Sequence, residues 1–528
     1  MLRLSLGKSI ENKAGPGENF RWYFFVLLVS AGFLLTCCSE KSPLLEGYGS
    51  DGAYYGHYTL HMDSVLENHQ LPTRLYERIL PIYLTHLIFK SMAIEPTTER
   101  MIHLDRDWHF NQGVVWAYMW YNFILFLLGA YIWLLITKAL RLGIAGTFCS
   151  IILLFVNFCN SKQYFYEPVM IDQSTMLCGV IAAYGVVRKN RFLLLLTGLA
   201  GLVVNAAIPI YMLMILLLPF TTQDQLQNNR IKPRIAHFAA ISMALFVGVV
   251  AAYYFFNPLC HPEAGELPTR KELFPLSLIF IMVFTWLGAK QVFEVVPRYN
   301  FKELFKRLHW REFLLLAGAT ITWRIYSSHN GLEGAIADGL CDDVQNGMWN
   351  YFVYILRYSY TRPAGLVAAD FAYFGIAFIG VILGWKIICK QAIFYGPGLL
   401  ILLLIAVVHG LNTESRQMVF VFPLLLMLLS AGLSNYKFRN LEVGFLALLG
   451  LVSSKVWYPI NPLNSADYPV SFQSLLYSPL QKYFMNLGPW MNDRNYIIHL
   501  SCALLLLTGG YLYMHRSNLA IRLKDGIE

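Results

Sequence analysis

Three observations predict an all-α polytopic integral membrane protein. The 528-residue chain is 56% hydrophobic and only 14% charged, with a mean hydropathy of +0.48, whereas soluble domains carry about 25% charged residues. Apolar runs of about 16 to 25 residues recur from end to end, the length that crosses a bilayer as a helix. Lys and Arg collect in short clusters between those runs, so the net charge of +9 has the pattern of topology determinants and does not describe a nucleic-acid surface. The chain therefore reads as one transmembrane domain, 1–528, with its longest polar stretches at 39–112 and 458–494.

The first apolar run, 22–38, follows Arg3, Lys8, Lys13 and Arg21, which places the N-terminus inside. Leu35-Thr36-Cys37-Cys38 resembles a lipoprotein cleavage site, but the small residue required before the cysteine is missing, and the run is taken as an uncleaved span. Later inside clusters are Lys138 with Arg141, Arg188 to Arg191, Arg230 to Arg234, Arg298 to Arg311, Lys386 with Lys390, Lys437 with Arg439, and Arg516 to Lys524. Spans near 113–137, 142–160, 171–187, 235–256, 274–296, 313–326, 364–385, 396–411, 417–434, 441–457 and 496–514 alternate between them. Residues 192–219 are too long for one span and too short for two, and Asn205 and Pro209 fall mid-run, which predicts a re-entrant or broken hairpin. The sum is about 12 to 14 crossings with both termini cytoplasmic. Nine cysteines show no CxxC or Cys/His ligand spacing, and Cys260 with Cys341 is the one pair in later outer loops.

Polar chemistry gathers on the outer face. The first outer loop, 39–112, holds Asp51, His57, His61, Asp63, Arg74, Glu77 and Arg78. Leu71 to Met92 reads as an amphipathic helix with Arg74 and Arg78 four apart on one face and Pro81 breaking it. The second outer loop gives Lys162, Glu167, Pro168 and Asp172; later loops give His261, Glu263 and Glu266, then Asp338, Asp342 and Asp343, then Glu414-Ser415-Arg416. Each has a plain reading: Asp-Gly is a turn dipeptide, Arg74 and Arg78 suit lipid headgroups, and the aspartates at 338–343 suit a solvated loop as well as a metal site. Asp172 and Glu414 abut apolar runs, where an ionised carboxylate costs on the order of 3 kcal/mol and usually serves a site or a pair.

Asp51-Gly52-x-x-Tyr55, followed by Arg74-x-x-x-Arg78-Ile79-x-Pro81, resembles the first outer loop of bacterial membrane glycosyltransferases of the C-type (GT-C) superfamily. Glu414-Ser415-Arg416 with Pro423 is similar to their late Glu-x-Arg…Pro element, and Pro168…Asp172 to an acidic position between their third and fourth spans. The resemblance implies a bundle with catalytic loops on the outer face of a bacterial inner membrane, for cell-envelope glycan biosynthesis. It implies transfer of a sugar from a polyprenyl-phosphate donor, with inversion. The chain ends soon after residue 514, without the large C-terminal domain common in members that glycosylate proteins. It also lacks the second acidic pair of protein O-mannosyltransferases, for which Asp63 or Glu77 would have to substitute. Both departures favour a lipid-linked glycan or polysaccharide acceptor.

On this resemblance Asp51 is the general base, a role worth about 10²- to 10⁴-fold. Arg416, Arg74 and Arg78 receive the charge that develops on the leaving phosphate. Tyr55 lies at the substrate, and Asp172 or Glu414 would orient donor hydroxyls or hold a divalent cation (Mg or Mn); no other cofactor is implied. A transporter or flippase suits the span count and the broken hairpin, but no internal repeat is present and the charges sit at one face. A glycan polymerase or ligase would depend on a large late outer loop, for which 458–494 is the one candidate.

Overall fold

The computed structural model describes residues 20–42, 47–68, 71–92, 99–103, 106–217, 232–256, 271–296, 308–331, 356, 359–460, 488, 491 and 493–516. The chain is predominantly helical. Among the described residues, five helices are long and apolar enough to cross a membrane: α1 (Phe20–Cys38), α6 (Gln112–Ala139), α12 (Pro233–Phe256), α13 (Phe274–Val295) and α21 (Asp493–Arg516). The count rises to seven if two bent pairs are each one span.

The segment between α1 and α6, expected outside, runs through α2 (Ser50–Leu60), α3 (Met62–Glu67), α4 (Thr73–Tyr76) and α5 (Ile79–Ser91) to an antiparallel hairpin, β1 (Glu99–His103) with β2 (Arg106–Phe110). That two-stranded hairpin is a local addition in a fold that is otherwise helical, as the all-α expectation has it. The single amphipathic helix expected over Leu71–Met92 is corrected to two. The break comes at Glu77–Arg78, before Pro81, which occupies the first turn of α5, where its missing N–H leaves no intrahelical bond unmade. Arg78 is the non-helical N-cap of α5, with φ −135°, and Arg74 lies in α4. The two arginines therefore do not share one helical face. Arg74's side chain lies outside the described residues.

α6 is the spine beneath this loop. Asn111 caps it by accepting from the Gly113 amide at 2.7 Å, and Lys138 stands in its last turn. α7 (Ile144–Phe155) bends by 62° into a π-turn at Cys159–Gln163 and the single turn α8 (Tyr164–Tyr166). α9 (Asp172–Val187) follows. The segment 192–219 contains two short helices, α10 (Arg191–Gly201) and α11 (Ala207–Leu217), with Asn205 Oδ1 capping the second at the Ala207 amide. Eleven residues rise about 16 Å, half of a hydrocarbon core, so the broken hairpin expected from sequence is what forms.

After α14 (Trp310–Asn330) come α15 (Gly365–Phe374), α16 (Ile376–Leu383), α17 (Trp385–Tyr395) and α18 (Pro397–His409). Gly375, at φ +58°, breaks α15 from α16, and α17 turns 73° away from α16. α19 (Val421–Gly432) and α20 (Asn440–Ser454) precede α21. The main core is built around Trp133, Tyr164, Phe374, Phe420 and Phe422, and a second core around Tyr48, Tyr55, Leu75 and Tyr118 fills the space under the first loop. Residues 461–487 of the late outer loop, His261, Glu263, Glu266, Asp338, Asp342, Asp343, Cys260 and Cys341 lie outside the described residues.

Candidate functional site

Three polar anchors along α6 fix the parts of the site. The Tyr48 hydroxyl donates to the Asn111 carbonyl at 2.9 Å and accepts from its amide at 3.0 Å, tying the approach to α2 to the start of α6. The Tyr121 hydroxyl meets Ser174 at 2.9 Å, fixing the first turn of α9. Asn122 Nδ2 donates to the Tyr164 and Pro168 carbonyls at 2.8 and 2.9 Å, which holds the segment between α8 and α9. Close approaches of glycine finish the alignment. Gly49, the N-cap of α2, lies against the Glu167 carboxylate, and a Cβ on Gly52 would lie 3.2 Å from Val169 Cβ. Gly179 lies against the Phe420 carbonyl, so the late turn that carries Arg416 sits beside α9.

These contacts gather residues from four distant segments. Arg416 Nη1 meets Asp51 Oδ2 at 2.7 Å, and its Nε and Nη2 both reach Glu414 Oε1 at 2.5 Å. Glu414 is held in turn by Asn412 Oδ1, which accepts from its amide at 2.9 Å. Arg78 donates to the Tyr55 hydroxyl and its guanidinium lies 5.7 Å from the centre of that ring. Burial opposes the charge of Arg416 and Arg78, but Glu414, Asp51 and Asp172 around Arg416, and Tyr55, Asp51 and Asp172 around Arg78, outweigh it and hold both above the ordinary arginine range. The structure thus brings together Asp51, Tyr55, Arg78, Asp172, Glu414 and Arg416 of the expected site.

Asp63 and Glu77 do not join them. Asp63 pairs with Lys90 and with His86 at 3.1 Å, and Glu77 with Arg324 at 2.8 Å. The additional acid is Glu167, buried beneath Gly49 with the Gln163 amide on its carboxylate. Burial pushes its carboxyl up to about 8, a rise that Arg416 and Gln163 only partly offset. In sequence Glu167 is one polar residue of a polar loop; the signal for it lies in Gly49, whose missing side chain makes room for it. Lys162, also expected outside, pairs with Glu40 at 2.7 Å, apart from this cluster.

Two cations and the carboxyls of Glu167, Asp172 and Glu414 around a partly exposed Asp51 form a site that can bind an anion and accept a proton beside it. Among the described residues no group of three His, Cys, Asp or Glu is arranged to hold a metal ion. No family model matches the chain, and no curated protein or solved structure matches it either.

Proposed function

We propose that this protein is a membrane glycosyltransferase of GT-C-like architecture, with about 12 to 14 crossings, cytoplasmic termini and its reactive loops outside a bacterial inner membrane. It transfers a sugar from a polyprenyl-phosphate donor to a hydroxyl of a lipid-linked glycan or polysaccharide. The single observation that carries the reading is the contact of Arg416 with both Asp51 and Glu414, beside Arg78 and Tyr55. These are the residues of the motifs that resemble the superfamily, and no requirement of sequence spacing alone brings positions 365 residues apart into hydrogen-bond range.

In this reaction the acceptor oxygen attacks the anomeric carbon as the bond from that carbon to the phosphate oxygen breaks. The hydroxyl proton passes to the Asp51 carboxylate and the bonding pair leaves with the polyprenyl phosphate. Arg416 and Arg78 meet the charge gained by that phosphate, since a guanidinium fork matches phosphate oxygens in pairs. Asp172 orients the donor hydroxyls, and Glu414 holds Arg416 in place. An interfacial site suits a donor whose tail stays in lipid while its head is hydrated.

The test is transfer in membranes from a panel of radiolabelled polyprenyl-phosphate sugars, with wild type and Asp51→Asn matched for expression. Incorporation that depends on one donor and falls about 10²- to 10⁴-fold in the variant supports both the class and the base. Full transfer by the variant moves the base to Asp172 or Glu414. One observation favours a carrier: a cavity of about 210 Å³ between α13, α15, α17, α18 and α19, lined by Phe284, Trp385 and Phe422, contains Asp370 and Gln291, whose Oδ1 and Oε1 have no hydrogen-bond partner among the described residues. Uptake of a labelled solute by vesicles, lost in Asp370→Asn with no glycosyl transfer from any donor, would select that reading.

A further inference from the structure

Arg416 divides its guanidinium between two carboxylates that differ in one physical respect. The Glu414 side chain is 2% exposed and that of Asp51 is 34% exposed. Glu414 takes Nε and Nη2, has Asn412 on its own amide and has Gln417 Nε2 at 3.4 Å on its second oxygen. Withdrawing Arg416 from Glu414 would leave a buried carboxylate uncompensated, which is strongly unfavourable. Withdrawing Nη1 from Asp51 exposes a carboxylate that water already reaches, and such exposed pairs are weak. Glu414 is therefore the fixed partner of Arg416 and Asp51 the exchangeable one.

The exchange matters because an ion-paired carboxylate is a poorer proton acceptor than a free one. Asp51 spends the empty state paired, so something has to take its place on Nη1 before it can act as a base. The other cation of the cluster, Arg78, is already engaged with the Tyr55 hydroxyl. Resting on the glycosyl-transfer reading above, we propose that the phosphate of the lipid donor displaces Asp51 from Arg416, so that donor binding releases the base and precedes productive engagement of the acceptor. Glu414 is the positioning residue in this scheme: it keeps the guanidinium in place while its other partner changes.

The experiment measures binding of undecaprenyl phosphate, the leaving group of the reaction, to the full-length protein in lipid nanodiscs, with undecaprenol as the uncharged control. Asp51→Asn, which removes the competing anion, should bind the phosphate about 5-fold tighter than wild type, the size expected for one partly exposed ion pair. The gain should vanish when Arg416→Gln is added, closing a double-mutant cycle. In Glu414→Gln, where Asp51 becomes the one acidic hydrogen-bond partner of Arg416 left among the described residues, the gain from Asp51→Asn should be larger, which provides a second cycle if Arg416→Gln does not fold. Weaker or unchanged binding in Asp51→Asn overturns the exchange, because it makes Asp51 a ligand or a bystander. A gain that survives Arg416→Gln overturns it too, since simple repulsion between anions then explains it. Wild type that binds undecaprenyl phosphate no better than undecaprenol removes the polyprenyl-phosphate reading itself, and the exchange with it.

Discussion

Glu167 illustrates how a residue acquires its properties from its neighbours. Its carboxyl is raised from 4.5 to about 8 by burial, so near neutral pH it is protonated, with the Gln163 amide donating to its Oε2. The unfolded chain releases that proton near 4.5, so between about 4.5 and 8 the folded state binds more protons than the unfolded one. Stability contributed by this group is thus fully present below 4.5 and declines as pH rises through about 8. Thermal melts of the purified protein across this window should fall with pH, and Glu167→Gln, which keeps the shape and cannot ionise, should flatten its share of the decline. A variant whose melting temperature follows wild type at every pH would show that the folded carboxyl is not held protonated. Asp51 was legible in the sequence because Asp-Gly sits just past a span; Glu167 was not, because its burial depends on a glycine 118 positions earlier.

Among the elements, α2 is the one whose placement matters most. Gly49 caps it at φ +71°, in a region that favours glycine, and a side chain there would overlap the Glu167 carboxylate. Gly49→Ala should cost at least about 1 kcal/mol from backbone strain alone, and should lower transfer more than it lowers the melting temperature, because it moves Asp51 away from Arg416. Equal loss of both, or of neither, would contradict this account. The breaks at Gly375 and at Asn205 follow the same local logic, and the second was foreseeable from Asn205 and Pro209 in a segment of awkward length. The break before α5 was misread at Pro81, since proline in a first turn is tolerated and the capping residue turned out to be Arg78. The β1–β2 hairpin gave little warning, for Glu99-Arg100-Met101-Ile102-His103 alternates weakly and carries no Asn-Gly turn.

At the scale of the whole molecule, composition and charge clusters made the membrane class readable, while the convergence of residues 51, 172 and 416 depends on packing that no local pattern encodes. The sidedness is open to a direct check. In intact cells a membrane-impermeant maleimide should label a cysteine placed at Glu67, which is exposed in the first outer loop, and should label one at Arg141 only after permeabilisation. The opposite result would put the site in the cytoplasm. α6 sets one further quantity, the height of the reaction. Sixteen residues separate Asn122 from Lys138, a rise of about 24 Å, against a hydrocarbon thickness of about 30 Å. If Lys138 stands at the inner boundary, as the proposed orientation has it, Asn122 and the loop it holds would lie only a few ångströms below the outer one, and Asn111 clear of it. The helix then acts as a ruler, and the lipid as the level it is read against. On the proposed glycosyl-transfer reading, turnover in reconstituted vesicles should pass through an optimum as acyl chains lengthen from about 14 to about 22 carbons, since thicker membranes would submerge Arg78 and Arg416 and thinner ones lift them out of register with a lipid donor's headgroup.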